Sequence, residues 1–376
     1  MIGMTRFRAR DLGINIGAMK PGPLNSITDV EGVKVGHETL IKGEGVLVPG
    51  AGPVRTGVTV IFPHDGDTYL KRVPAAVEWF NAFGECFGYG FVQQYGFIIG
   101  PIVLTNSFNV YRVADALQDW SIKQHPEVGF ETHGLLCVVC ECSDDYLNDI
   151  QGRHVHQEHV LNAIHNARGK TLEEGSIGAG TGTMTFEWKG GIGTSSRTLP
   201  PKLGGFTVGV LTLTNFGIQS QLIINGVPVG SELRNGSASP VQRENEGSGV
   251  TIVATDAPLS SQQLQRLNKR AFLGLGRTGG TGRNSSGDLA ISFSTSNIIT
   301  RDPKPKMVTR TVIHELSDNV INGLFQAAVD ATEEAILNSM FMSDTMVGRD
   351  QHVVPGLPIP QVIEIMNKHG YSLKIP

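Results

Sequence analysis

The spacing of hydrophobic and polar positions changes along the chain, and each change marks an element. The first sixty residues hold short β-prone runs, GVKVGHETL, GEGVLVPG and TGVTVIFP, split by glycine and proline, which predicts hairpins. Helical spacing follows at Pro74 to Phe83 and at Val110 to Ile122, with the strand-like FIIGPIVLTN between them. LLCVVCEC reads as a buried strand, His156 to Ala167 as a helix, and GSIGAGTGTMTFEWKGGIGTSSR as glycine-dense turn and strand. FTVGVLTLTNFG is another buried strand, and LIINGVPVG a hairpin turning at Asn225-Gly226.

A polar stretch from Arg234 to Gly247, with Val241 as its one sizeable apolar group, predicts an exposed, mobile loop. It stops at Ser248, where SGVTIVATDAP begins. Val250, Ile252 and Ala254 fall on one face of that strand and Thr251 and Val253 on the other, so both faces are covered. Ser260 caps a helix whose Leu264, Leu267 and Ala271 share a stripe. Asp318 to Met340 is a further helix, with Val320, Leu324, Ala328 and Ala331 inward. No internal repeat or long linker divides the chain, which predicts a single domain over residues 1–376, built as α/β (α+β) layers.

Composition narrows the function classes. Glycine fills 47 of 376 positions, well above the usual share of about 7%. Such a chain is rich in tight turns and close backbone approaches. Lys+Arg 31 against Asp+Glu 35 leaves a net charge of -4, which argues against nucleic acid as a partner. No segment nears the roughly 20 apolar residues of a membrane span. The start, with Arg6, Arg8 and Arg10, lacks the apolar core of a secretory signal, so the expected location is the cytoplasm. Cys137, Cys140 and Cys142 have no second cysteine pair to complete a zinc site, and no metal or organic cofactor is expected.

Several motifs dissolve in context. Gly274, Gly276 and Gly279 carry dinucleotide spacing but follow a helix, so they end that helix instead. His156 and His159 lack a flanking carboxylate pattern and read as a solvated helix face. Neither a Gly-x-Ser-x-Gly elbow nor a Walker A sequence is present.

The Gly247-Ser248 junction carries more. A serine fixed at the start of a buried strand can attack the carbonyl of Gly247, with glycine accepting the backbone strain required. An N-to-O acyl shift and hydrolysis then free Ser248 as an N-terminus, whose α-amine serves as base for its own hydroxyl. An ordinary loop-to-strand turn is the alternative.

GSGVTIVATDAPL, KGGIGTSSR (Lys189 to Arg197), VLTLTNFG (Val210 to Gly217), NSSGDLAISFSTSN (Asn284 to Asn297) and ITDVEGVKVGH (Ile27 to His37) occur in one order. Together they resemble the L-aminopeptidase/D-Ala-esterase/amidase and β-aminopeptidase family, from about Arg8 to ATEEAILN at Ala331 to Asn338. The resemblance implies a self-cleaving precursor that becomes an N-terminal serine hydrolase. It also implies a sandwich of two β-sheets packed between helices, like the N-terminal-nucleophile enzymes but with different connectivity.

By that resemblance Ser248 is the self-cleaving residue and the nucleophile, Ser286 and Asp288 orient it and relay protons, and Asn215 helps form the oxyanion hole. Ser286, Asp288, Ala290, Ser292 and Ser294 share one strand face, opposite Leu289, Ile291 and Phe293. Several members of the family carry Glu where this chain has the shorter Asp288. Glu141 corresponds to an acid associated with the substrate's free amino group, an ordinary salt bridge being the alternative. Asn106 resembles a polar pocket residue. The implied products are chains of residues 1–247 and 248–376, assembled as a tetramer of such pairs, acting on a small peptide or aminoacyl amide. A rival activity is acyl transfer of the ornithine acetyltransferase type, which uses threonine where this chain has Ser248. A second rival is an unprocessed, non-catalytic binding protein of the same fold.

Overall fold

The computed structural model describes residues 6–131, 136–234, 247–301 and 312–376. Residues 235–246 of the expected polar loop lie outside the described residues. In chain order the main strands are β1 (Lys34–Lys42), β2 (Val54–Phe62), β3 (Lys71–Ala82), β4 (Cys86–Phe87), β5 (Ile102–Thr105), β6 (Val138–Glu141), β7 (Ile192–Thr198), β8 (Thr207–Asn215), β9 (Gly247–Thr255) and β10 (Ser286–Ser294). The main helices are α1 (Val110–Gln124), α2 (Gln157–Asn166), α3 (Ser261–Arg277), α4 (Asp318–Phe341) and α5 (Ile359–Lys368).

One sheet has the order β1-β2-β5-β6-β4, the other β7-β8-β9-β10-β3 with two short strands paired on β3. Only β5–β6 and β9–β10 are parallel among these neighbours. Strand alternation sorts the side chains into three layers of core. Leu211, Leu213, Val250, Ile252, Leu289 and Ile291 meet Ile61, Ile102, Leu104 and Val138 between the sheets. Val58, Val60, Val103 and Val139 face α1 and α2, while Val208, Val210, Val253 and Ala290 face α3 and α4. The result is helices, sheet, sheet, helices, as expected. No described helix is long and apolar enough to cross a membrane.

The outer helix lies close to its sheet. A Cβ added to Gly193 on β7 would stand 1.9 Å from the Ala335 carbonyl oxygen of α4, so only glycine fits there. That closeness lets α4 bring Glu334 into the interior, where Arg197 of β7 meets it at 2.6 Å with both side chains fully buried. Arg10 makes a second, bidentate contact, and Asn25 donates to the same carboxylate at 2.6 Å. Burial alone would push the Glu334 carboxyl up, but Arg10, Arg197 and Asn25 together hold it below the ordinary glutamate range.

Three expectations change. Pro74 to Phe83 is not helical but most of β3. Its Val73, Ala75 and Val77 enter the inter-sheet core while Ala76 faces α3, and a strand covered on both faces loses the alternation that separates it from a helix. GEGVLVPG is a loop with one isolated bridge, Val48 to Gly52. His159 is buried, not solvated: its Nδ1 accepts the His156 N–H at 2.9 Å and closes the start of α2.

Glu334→Gln leaves the Arg197 guanidinium buried beside a neutral amide. We expect a loss of about 3–5 kcal/mol in urea unfolding at neutral pH. The wild-type protein should lose the same advantage as pH falls through the carboxylate range, because its folded-state pKa is the depressed one. An unchanged unfolding midpoint in the variant would contradict this account.

Candidate active site

The pairing of three strands fixes what surrounds Ser248. Across the antiparallel β8–β9 ladder Ser248 stands opposite Asn215, and across the parallel β9–β10 ladder it stands beside Gly287. Residues paired in this way project to the same face. Asn215 Nδ2 accordingly reaches Ser248 Oγ at 3.4 Å. Its other end is held, since Asn215 Oδ1 accepts the Met184 N–H at 3.1 Å. The amide is therefore aimed with its NH₂ toward the hydroxyl.

Ser286 and Asp288 lie on the opposite face. They pair with Gly247 and Gly249, the two neighbours of Ser248. A Cβ on Gly247 would come within 3.0 Å of Ser286 Oγ, and one on Gly249 within 3.1 Å of Asp288 Oδ1. A side chain at 247 would crowd the Ser286 hydroxyl. The Gly247 backbone is extended within β9, not left-handed, so the strain expected from the sequence is absent there. The sheet separates the groups: Oγ and Asn215 on one side, Ser286 and Asp288 on the other, and the Gly247–Ser248 peptide between them.

Ser286 Oγ and both carboxylate oxygens of Asp288 are buried without a hydrogen-bond partner. Burial pushes the Asp288 carboxyl up to about 6, against a smaller downward pull from the adjacent Ser286 hydroxyl. Buried polar groups are rarely left unmatched, and the single Ser286 hydroxyl can serve at most one Asp288 oxygen, so the cluster calls for a further donor. They line a narrow crevice with Phe216, Gly247, Leu275 and Arg283.

Glu141 comes from the other sheet. It ends β6, where its carboxylate accepts Ser107 Oγ at 2.5 Å and the Glu85 N–H at 3.1 Å. Gly84 sits between it and β10: a Cβ there would lie 3.1 Å from Glu141 Oε1 and 3.2 Å from Gly287 Cα. Glu141 therefore overlooks the Ser248 face of the second sheet. Among the described residues no lysine or arginine pairs with it, and burial raises its pKa. The salt-bridge alternative is not what the structure contains.

Asn106 is fully buried and its amide is spent inside the protein. Nδ2 donates to Asp144 and Thr56, while Oδ1 accepts both nitrogens of Asn109. It shapes the turn that carries Ser107 to Glu141.

Two residues escaped the sequence reading. The Ser248 hydroxyl lies close enough to the Cys142 thiol to influence its ionisation, although burial dominates and raises that thiol's pKa. Lys189 is fully buried, and its ammonium donates to the carbonyls of Gly180, Thr183 and Gly190 at 3.1, 2.7 and 2.6 Å. Burial pushes its pKa down to about 7, with Asp144 pulling upward. Three N–H groups matched to three carbonyls fix the loop that presents the Met184 N–H to Asn215. A lysine between Trp188 and a Gly-Gly pair was the available signal. Among the described residues no group of three or more His, Cys, Asp or Glu side chains is placed to hold a metal. A separate cavity of about 380 Å³, lined by Phe62, Tyr69, Trp120 and His125, includes none of the candidate residues.

Lys189→Met should leave three buried carbonyls unpaired at about 1–3 kcal/mol each. We expect a clear fall in the chemical-denaturation midpoint together with a lower kcat. A variant as stable as wild type would show that the ammonium does not hold this loop.

Residues 25–354 match peptidase family S58. The beta-peptidyl aminopeptidase BapA of Sphingosinicella xenopeptidilytica is 42% identical over 369 residues, covering 96% of this chain and 90% of that protein. The crystal structure of the PH0078 protein from Pyrococcus horikoshii OT3 superposes with a TM-score of 0.91 at 46% identity, covering 97% of this chain and all of that one. The L-aminopeptidase D-Ala-esterase/amidase from Ochrobactrum anthropi, described as a prototype for the serine aminopeptidases and a new variant among the Ntn hydrolase fold, gives 0.88 at 35% identity over 96% and 99% of the two chains.

Proposed function

The chain belongs to peptidase family S58 and is a serine-type aminopeptidase, and we propose that it cuts itself before Ser248 and then hydrolyses N-terminal aminoacyl amides, esters and short peptides. The observation that carries this reading is the trio of unmatched buried atoms on Ser286 and Asp288 beside the Gly247–Ser248 peptide. Cleavage there converts the Ser248 amide nitrogen into an amine. A peptide N–H lies in the plane of the sheet, whereas a freed ammonium offers three donors and can turn toward Ser286 and Asp288.

In the precursor, Ser248 Oγ attacks the Gly247 carbonyl. The C–N bond breaks as the C–O bond forms, nitrogen takes the proton, and water then hydrolyses the ester to release chain 1–247. In the mature protein the neutral α-amine of Ser248 accepts the hydroxyl proton as Oγ attacks the substrate carbonyl. Asn215 Nδ2, already aimed at that oxygen's surroundings, donates to the developing oxyanion. The amine returns its proton to the leaving group, and water resolves the acyl-enzyme. Ser286 and Asp288 act on the amine and not on the hydroxyl, because they occupy the other face of the strand. Glu141, which has no cationic partner among the described residues, receives the free amino group of the substrate, with Ser107 and the Glu85 N–H fixing its carboxylate. Asn106 supports that carboxylate through its turn without touching substrate. The substrate of BapA by name is a β-peptide, and the same aminoacyl class is proposed here together with α-aminoacyl amides. Serine at 248 favours hydrolysis over the threonine-based acyl transfer.

Ser248→Ala should remain one band on a denaturing gel and show no amide hydrolysis, whereas wild type gives two fragments, one beginning at Ser248. Turnover by the alanine variant would remove Ser248 from the mechanism. Asp288→Asn tests the second face. A nearby carboxylate raises an amine's pKa from its ordinary 7.7–8.0 or so, so removing the charge should move the acid limb of kcat/KM down by about one pH unit. The two groups titrate as a pair, and the limb reports the pair. An acid limb that stays in place would show that Asp288 does not face the amine.

A further inference from the structure

The four cysteines are all buried thiols, and two of them face each other. Cys86 of β4 and Cys140 of β6 are register partners across an antiparallel pair. Directly opposed residues of such a pair have Cα atoms about 4.5 or 5.5 Å apart, inside the window of roughly 4.4–6.8 Å that a disulfide bridges. Their sulfurs stand at 2.8 Å, with neither thiol directed to another group. The other two point elsewhere: Cys137 Sγ toward the Ala114 carbonyl in the α1 layer and Cys142 Sγ toward the Leu213 carbonyl of the second sheet. Alternation puts Cys137 in the outer layer and Cys86, Cys140 and Cys142 in the inter-sheet core, and among the described residues Cys86 and Cys140 are the two cysteines that oppose each other in register.

The pair also sits at a functional join. Cys140 directly precedes Glu141, and Cys86 directly follows Glu85, whose N–H is one of the donors to the Glu141 carboxylate. β4 is an edge strand of two residues that pairs with β6 alone. The Gly84–Cys86 segment is held over Gly287 by this ladder, by the Glu85 N–H on Glu141 and by the Tyr111 hydroxyl on the Glu85 carboxylate.

We propose that Cys86 and Cys140 are an oxidation site of this protein, closing a cross-strand disulfide that staples the edge strand beside Glu141 when a glutathione-type disulfide is supplied. Cys86, on the edge strand, attacks one sulfur of the oxidant and releases one thiol, leaving a mixed disulfide. Cys140 then attacks the Cys86 sulfur and releases the second thiol. The two cysteines give up two protons and two electrons, and the oxidant's S–S bond is reduced to two thiols. The bond closes a loop between residues 54 positions apart, long enough to restrict the unfolded chain substantially.

The test uses purified protein, processed or not, equilibrated with glutathione disulfide, quenched in acid and alkylated in denaturant. Two of the four thiols should resist alkylation, and a non-reducing digest should yield the Cys86 peptide joined to the Cys140 peptide without glutathione. The unfolding temperature should rise by roughly 5 °C, fall back with dithiothreitol, and stay unmoved by oxidant in both Cys86→Ser and Cys140→Ala. Four alkylatable thiols after oxidation would overturn the proposal. So would a stable glutathione adduct at Cys86, or a bond through Cys137 or Cys142.

Discussion

The site depends on the register of three strands. β9 runs between antiparallel β8 and parallel β10, and that placement alone decides that Ser248 meets Asn215 on one face while Ser286 and Asp288 meet its glycine neighbours on the other. A one-residue slip of β9 would turn the hydroxyl to the helix side, and a one-residue slip of β10 would turn the carboxylate to the inter-sheet side. The register is locked by burial on both faces, with Val250 and Ile252 between the sheets and Val253 against α3 and α4. The hydrophobic core thus does more than hold the protein together: under the proposed cleavage it assigns the hydroxyl and the released amine of Ser248 to two separate environments.

Electrostatics divides along the same lines. The Glu334 cluster is a buried charge that is matched on all sides and serves the packing of α4 on β7. Among the described residues Asp288 and Glu141 are buried carboxylates with no cation paired to them, and burial raises both. Among these residues Glu334 meets cations, Glu141 meets only the neutral donors Ser107 and the Glu85 N–H, and Asp288 meets only Ser286, which is the difference the proposed function rests on. Lys189 belongs to the first kind, since its ammonium is consumed by backbone carbonyls and its effect reaches the site only through Met184 and Asn215.

Much of this was legible in the chain itself. The two-faced strand after Ser248, the cap at Ser260, the inward stripes of α3 and α4, and the shared face of Ser286 and Asp288 all follow from local periodicity, which the core layers reproduce. What local pattern cannot carry is how strands meet. Nothing in the sequence says that Ser286 pairs with Gly247 and not with Ser248, so the division of the site between two faces waited for the structure. β3 was misread for a related reason: Ala75, Ala76 and Val77 are buried on alternate sides, and a doubly covered strand offers no polar face to reveal its period. At Gly247 the sequence suggests backbone strain, whereas the structure shows an extended backbone and a close approach to Ser286 Oγ.

The central claim is that the open acceptors beside Gly247 are built for the amine that cleavage releases. A crystal structure of the active, processed protein tests this directly. The account predicts the Ser248 α-nitrogen within about 2.7–3.2 Å of Ser286 Oγ and an Asp288 oxygen, with Asn215 still beside Oγ. Active protein with an unbroken peptide before Ser248, or with that nitrogen turned away from Asp288, would contradict it.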